Sequence, residues 1–466
     1  MTAFKKGESV IEALRAFYMG KTYPALICTL VAVSAIFGLE IYVGILHAIA
    51  VSVGLFISKT FKPALVSLLS FVMQISVKHS PFYPSYSDYL HTGWHKYAVF
   101  GIFALIIVAI CVFAVKNRVI ERIFRSRIPL VYFLPLFLAF LTNGIFSEKW
   151  VVGNLGLGLV NGFLFCFLPI FIYHSFPETE NSDGIAGYFS YVSLLVGLVV
   201  LAELVALFIT NGEIFVNGSV NKTEVALGWG IWNLVGSTLA VIIPLIFYAI
   251  QKTKHPVLCF LSASAVHIGA VFTMSRNALI VSTLVYFLCV LISCFYGRYK
   301  AHFRIFAVVS LLALLILFAA FFDGIINLFR DYLDRGFSDN GRFALWGIAF
   351  DNFSSSPVFG VGFYGFDADD ELLFSFGPLV KQAHSTPLQL LSATGLFGFF
   401  AYFFYRFFTL REIFHKFSLK KAFMALSVFA LLLGSLLDNF IFNIYPLFSY
   451  AVSLVVIMKE NREKPL

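Results

Sequence analysis

Apolar runs long enough to cross a bilayer recur along almost the whole chain, and a run of that kind has few options other than a membrane-spanning helix, since about 20 residues span the hydrocarbon. They fall near 22–37, 41–58, 61–78, 97–115, 128–145, 152–175, 187–209, 229–250, 256–275, 277–296, 305–322, 389–408, 422–438 and 440–458. The pattern predicts an all-α, polytopic transmembrane helix bundle of about 12–14 spans, because the first three runs are short or closely spaced. Only 12% of residues are charged, against about a quarter in soluble domains. The net charge of +8 is therefore read by its distribution along the loops, and it does not point to nucleic acid.

Basic residues cluster before the first run (Lys5, Lys6, Arg15, Lys21), after the fourth (Lys116, Arg118, Arg122, Arg125, Arg127), after the tenth (Arg298, Lys300, Arg304) and after the twelfth (Arg406, Arg411, Lys416, Lys420, Lys421). Lys459, Arg462 and Lys464 close the chain. If the spans alternate, all these clusters share one side, which the positive-inside rule makes cytoplasmic. Residues 1–21 and 459–466 are then expected as cytoplasmic tails of a single transmembrane domain, 1–466. The acidic stretch 177–183 dissents, but acidic residues weigh little in that rule. The six cysteines all sit in apolar stretches with neither disulfide nor zinc spacing.

The opposite, extracytoplasmic side is expected to hold 80–95, 211–229, the tight turn Ser275-Arg276-Asn277, and one large polar loop, 323–388. In that loop nine acidic residues, Asp331, Asp339 and Glu371 among them, outnumber the basic residues Arg330, Arg335, Arg342 and Lys381. Phe343, Trp346, Phe350 and Phe353 recur at helical spacing, predicting a short helix over 341–353 that lies against the bundle or at the interface. Pro357 ends it, since the residue before a proline is pushed out of helical geometry. Gly360, Gly362 and Gly365 predict a flexible turn that lets backbones approach closely. Ser385 or Thr386 suits an N-cap and Pro387 a first helical turn, so the next span is expected to start there.

Three side chains on this side suit chemistry. His384, just ahead of a helix N-terminus, feels the positive end of a dipole, which favours the neutral imidazole that a general base requires. The alternative is a histidine that only hydrogen-bonds at the membrane surface. Arg342 offers a planar fork for phosphate, or else snorkels at the interface. Arg276 lies between two apolar runs with almost no loop around it, where charge is expensive and function is the default reading. Gly360-Val361-Gly362 lacks the Lys-Ser/Thr of a P-loop, and His91 with His95 lacks the glutamate of a zinc helix. Glu203 and His267 fall inside runs, as interhelical clasps or parts of a pathway. The sequons at Asn217 and Asn221 are taken as chance matches.

In order and spacing, Arg342, Trp346, Pro357, Gly360, Gly362, His384, Ser385, Leu388 and Gly395 resemble the O-antigen ligase and polymerase superfamily of bacterial membrane proteins, and Ser275-Arg276-Asn277 resembles its Ser-Arg-Gly turn. Two positions depart from that pattern: Ser385 stands where asparagine is commoner, and Asn277 replaces the usual glycine. The resemblance implies a C-type glycosyltransferase architecture. It also implies transfer of an undecaprenyl-diphosphate-linked glycan onto an acceptor hydroxyl, of glycan or lipid A-core, at the outer face of the cytoplasmic (inner) membrane. Neither a nucleotide sugar, a metal nor another cofactor is implied. The roles it suggests are catalysis for His384 and Arg342, diphosphate binding for Arg276 and Arg342, and support from Trp346, Gly360, Gly362 and Ser385. Ligase and polymerase share these motifs. A lipid-linked oligosaccharide flippase is the alternative, although a flippase is expected to line a central cavity with its ionisable groups.

Overall fold

The computed structural model describes residues 2–75, 93–126, 128, 130–330, 341–366 and 383–463. His91, Arg127, Lys464, the sequence between Asp331 and Asn340, and the sequence between Asp367 and Gln382 (Glu371 and Lys381 included) lie outside them. Among the described residues the only strands are two minimal antiparallel hairpins, Phe215–Val216 with Ser219–Val220 and Ala226–Leu227 with Gly230–Ile231. Nearly everything else is helix, so the chain is an all-α polytopic bundle.

Eight described helices are long and apolar enough to cross a membrane unaided, or up to nine if Val10–Met19 and Thr22–Phe37, bent by 64°, form one broken span. This is fewer than the 12–14 expected, and the differences have local causes. The run 61–78 is helical over Lys62–Ser70 and, after a break, Val72–Ile75. The run 128–145 yields a single 3-10 turn, Leu130–Tyr132, and the eight-residue helix Leu134–Leu141 before turning at Thr142. Pro256–Phe272 and Leu419–Gly434 are helical but short, because Met274 and Ser435 lead into the turns that follow. The expected N-terminal tail is helical over Thr2–Met19.

Trp232–Lys252 is the axis of the bundle. Of its apolar window 89% is buried, as in a helix enclosed by others. It packs on Ser182–Thr210, Pro256–Phe272, Arg276–Phe295 and Leu419–Gly434. Gly236 sets one crossing: a Cβ there would overlap Ala278 and meet Thr273 Oγ1, so a small residue lets the backbones close in. Lys300–Ala320 is the opposite case, with 6% of its window buried.

The bundle has two chemically distinct ends. At one end basic residues from distant parts of the chain meet the acidic 177–183 stretch. Lys62 pairs with Glu180, Lys252 Nζ lies 2.6 Å from Asp183, and Lys459 Nζ donates to the Pro177 carbonyl at 3.2 Å. Arg462 reaches Glu412 at 3.2 Å, and Arg15 donates to the Ile57 carbonyl. The acidic stretch that seemed out of place among basic clusters is thus their counter-charge. The other end gathers the turns at 142–151, 229–233, 273–277, 356–366, 383–386 and 435–443, which hold the candidate site.

Candidate functional site

The site is framed by a backbone clamp at a break in the Thr386–Phe414 helix. Gly395 sits at φ 63°, ψ −162° inside that helix, a conformation essentially confined to glycine. The break detaches two carbonyls and two N–H groups from their usual helical partners, which is costly where water is scarce. The 357–362 segment takes up all four. Leu396 N–H donates to the Pro357 carbonyl at 2.8 Å and Phe397 N–H to Val358 at 3.1 Å, while Val361 N–H donates to Ser392 at 2.9 Å and Gly362 N–H to Ala393 at 3.0 Å.

The glycine pattern follows from this contact. Gly360 and Gly362 have φ of 68° and 87°. A Cβ on Gly360 would overlap Ala393, one on Gly362 would overlap Asn154, and one on Gly395 would overlap Val358. Asn143 Oδ1 accepts from Phe363 N–H at 3.1 Å and Asn154 Oδ1 from Tyr364 N–H at 2.8 Å. The turn expected to be flexible is therefore pinned on both sides.

On the side of this clamp toward the chain's N-terminus, Arg342–Ser355 is helical after Gly341 in the left-handed region, two residues longer at its end than expected. Its inner face is Leu345, Ala349 and Asn352, packed with Phe366 and Ala383. Phe343 and Phe350 of the aromatic stripe point outward, as an interfacial helix would have it. Lys149 Nζ holds Asn352 Oδ1 at 3.1 Å. Arg342 leads the helix, and Trp346 lies one turn on, half-buried and edge-on to Phe343 at 5.3 Å.

On the other side of the clamp, His384 has φ 47°, an uncommon conformation for a residue with a Cβ. Ser385 occupies the N-cap position, but its side chain makes no capping bond. The expected cap is replaced by a tertiary one: Thr386 N–H donates to the Ser435 carbonyl at 2.9 Å, and Ala383 N–H donates to Gln389 Oε1 at 2.7 Å. Pro387 lies in the first turn, as expected.

The sequence reading missed the residue that His384 faces. Nδ1 of His384 lies 3.2 Å from Oδ1 of Asp438, a buried carboxylate in the turn before the last helix. The same oxygen accepts from Asn439 N–H at 2.8 Å, and Oδ2 accepts from Asn233 Nδ2 at 3.1 Å. Burial pushes this carboxyl up. The hydrogen bond and charge of His384, the Asn439 N–H and the Arg342 charge outweigh it and hold the group below the ordinary carboxylate value. An ionised carboxylate only accepts, so Nδ1–H of His384 is the donor to it, and whenever the ring is neutral Nε2 is the nitrogen left to accept.

Arg276 enters from the third side. Met274 turns the chain at φ 55°, Ser275 caps the Arg276–Phe295 helix through Ala278 N–H, and Arg276 is its first residue. Asn277, where the resembling pattern has glycine, donates from Nδ2 to the Gly434 carbonyl at 2.8 Å, fixing the turn to the Leu419–Gly434 helix. Ser275 Oγ donates to Asn233 Oδ1 at 2.8 Å. Arg342, His384 and the Ser275-Arg276 turn are thus brought to one end of the bundle. Glu203 accepts from Trp229 Nε1 at 2.7 Å and His267 stacks on Tyr286. Neither is among the groups bonded to Asp438.

Fold and site together define a polytopic membrane protein with a histidine–carboxylate pair and two arginines at one end. Residues 257–403 match the family whose model is described as O-antigen ligase. The match contains Arg276, Arg342, Trp346, the glycine clamp and His384 but ends before Asp438, and it supports placing the protein in the O-antigen ligase/polymerase superfamily, with a membrane glycan function of that type. No curated protein matches the chain.

Proposed function

We propose that the protein transfers an undecaprenyl-diphosphate-linked glycan onto an acceptor hydroxyl at the outer face of the cytoplasmic membrane. The observation that carries the reading is the convergence of His384 and Asp438 with Arg342, beside the Arg276 turn. His384 Nε2 takes the proton from the acceptor hydroxyl, whose oxygen bonds to the anomeric carbon. The bond from that carbon to the diphosphate breaks, and its electron pair leaves with the lipid diphosphate. Negative charge grows on that leaving group, and two guanidinium groups in a site of restricted water access suit it. Asp438 keeps Nδ1–H in place and offsets the imidazolium that forms.

Sidedness follows from the basic end of the bundle, which lies away from the site and belongs in the cytoplasm by the positive-inside rule. An apolar groove lined by Pro135, Val358, Phe397 and Phe400 runs beside the clamp and offers isoprenoid units a non-polar approach.

The test is reconstitution in vesicles with a short undecaprenyl-diphosphate-linked glycan, with and without lipid A-core. Elongation without core identifies a polymerase, and transfer only with core identifies a ligase. Passage of the glycan across the bilayer with no covalent change would overturn the reading in favour of a flippase. His384→Ala is expected to abolish transfer and Arg342→Ala to lower it by about 10²–10³, both at unchanged membrane abundance.

A further inference from the structure

We infer that Asn233 is a positioning residue that joins the carboxylate behind His384 to the turn that presents Arg276; the role rests on the transferase reading, while the bond pattern does not. Asn233 is the second residue of the central Trp232–Lys252 helix, the most enclosed element of the bundle. Its carboxamide is used at both ends. Nδ2 donates to Asp438 Oδ2 at 3.1 Å, and Oδ1 accepts from Ser275 Oγ at 2.8 Å.

The sense of both bonds is fixed. An ionised carboxylate accepts only, so it requires the NH2 end of the amide, which turns the oxygen toward Ser275. The Ser275 hydroxyl, having donated its one proton to Asn233, still accepts from Ala278 N–H at 3.3 Å as the cap of the Arg276–Phe295 helix. One chain of bonds therefore runs from the His384 imidazole through Asp438 and Asn233 to the first turn of the helix that begins with Arg276. Among the described residues, the charged groups around it are Asp438 from the 435–443 turn, Arg342 at the head of its own helix, Arg276 one residue beyond Ser275, and Lys222, whose Nζ lies 4.9 Å from the ring centre of the neighbouring Trp232.

The two simplest replacements break this pattern. Aspartate at 233 matches the shape but has no hydrogen to give Asp438, and it sets a second negative charge beside the first. Alanine leaves Oδ2 without its donor and Ser275 without its acceptor. Each change concentrates negative charge behind His384 and strengthens its hold on a proton.

The experiment is an NMR titration of the His384 imidazole in the full-length protein in lipid nanodiscs, assigned against His384→Gln, for wild type, N233A and N233D. Transfer rates against pH are measured on the same preparations. The midpoint of His384 is expected to rise in both variants, by about one pH unit in N233D and by less in N233A. The acidic limb of the rate profile should move the same way, because a base that stays protonated to higher pH is lost over that range. N233A carries the test if N233D does not fold. An imidazole that titrates at the wild-type midpoint in the folded variants overturns the link, as does a rate loss that is uniform with pH. A wild-type protein that moves no glycan while the variants still shift the imidazole overturns the transferase reading and leaves the bridge standing.

Discussion

Asp438 accepts a hydrogen bond from His384 across 54 residues of chain, at 3.2 Å, and joins the turn before the Thr386–Phe414 helix to the turn before the last helix. The pairing makes the carboxylate the orienting partner of a base, so its charge and not only its shape is required. Asp438→Asn keeps the volume but offers an amide that is free to present either end to Nδ1. Transfer is expected to fall by at least about two orders of magnitude, the scale of general-base catalysis, in a protein that still folds at neutral pH but is less stable there than wild type, because the charge interactions of the carboxylate are gone. A second signature follows from linkage. The folded carboxyl titrates below its ordinary value of 3.8, so its stabilisation is complete above that value and is lost as pH falls through the folded one. Wild type should therefore lose stability in acid over a range where Asp438→Asn does not. Parallel acid-unfolding curves for the two proteins would contradict the assignment.

The two arginines are expected to fail differently. Arg342 lies close enough for its charge to act on Asp438, the partner of His384, so Arg342→Ala should lower the maximal transfer rate by about 10²–10³, the range for removing one stabilising donor of a developing anion. Arg342→Lys should recover little, because an ammonium cannot replace the planar fork. Arg276 heads a separate helix, and Arg276→Ala is expected mainly to weaken retention of the lipid diphosphate and to raise the donor concentration for half-maximal rate. Steady-state rates against donor concentration separate the two. Equal effects on both parameters in both variants would show that the arginines act as one unit.

Gly395→Ala tests the clamp. The substituted residue would be held in a glycine-only conformation, at a cost of about 1–3 kcal/mol, and its Cβ would overlap Val358. Either the kink relaxes and releases Pro357–Gly362, or the strain persists. Both outcomes lower the unfolding temperature in detergent, and the first also removes transfer. Gly347→Ala, on an open helical surface where a Cβ meets nothing within 4 Å, is the control and should leave the unfolding temperature unchanged or slightly raised.

Much of this could be read from the chain because its signals are local. Runs of apolar residues announce helices, proline and glycine mark where the 342–355 helix stops, and basic clusters mark one end. What could not be read is long-range pairing. Asp438 escaped because it closes the apolar run 422–438 and looked like its boundary. The argument that singled out Arg276, a charge wedged between two apolar runs, applies equally to Leu437-Asp438-Asn439. Asn233, Asn143 and Asn154 are uncharged, and only the fold shows that their amides meet Asp438 and the glycine turn. Ser385 shows the converse: it takes the expected N-cap position, yet a carbonyl from Ser435 does the work of its hydroxyl. Fewer described helices are long and apolar enough to cross unaided than there are apolar runs, because a run does not reveal where a break such as that after Ser70 interrupts it.

Sidedness gives the last test, and it stands apart from catalysis. The site and the basic end occupy opposite ends of the bundle, so probes at the two ends must differ in access across the membrane. In a background with all six cysteines replaced, Asp351→Cys on the exposed side of the 342–355 helix and Lys416→Cys in the exposed turn after the Thr386–Phe414 helix report the two ends. A membrane-impermeant maleimide added to intact cells with a permeabilised outer membrane should label position 351 and spare 416 until the inner membrane is opened. The reverse pattern would put Arg342 and His384 in the cytoplasm. An undecaprenyl-diphosphate glycan presented outside could not then reach them, and the donor would have to be sought among cytoplasmic sugar carriers.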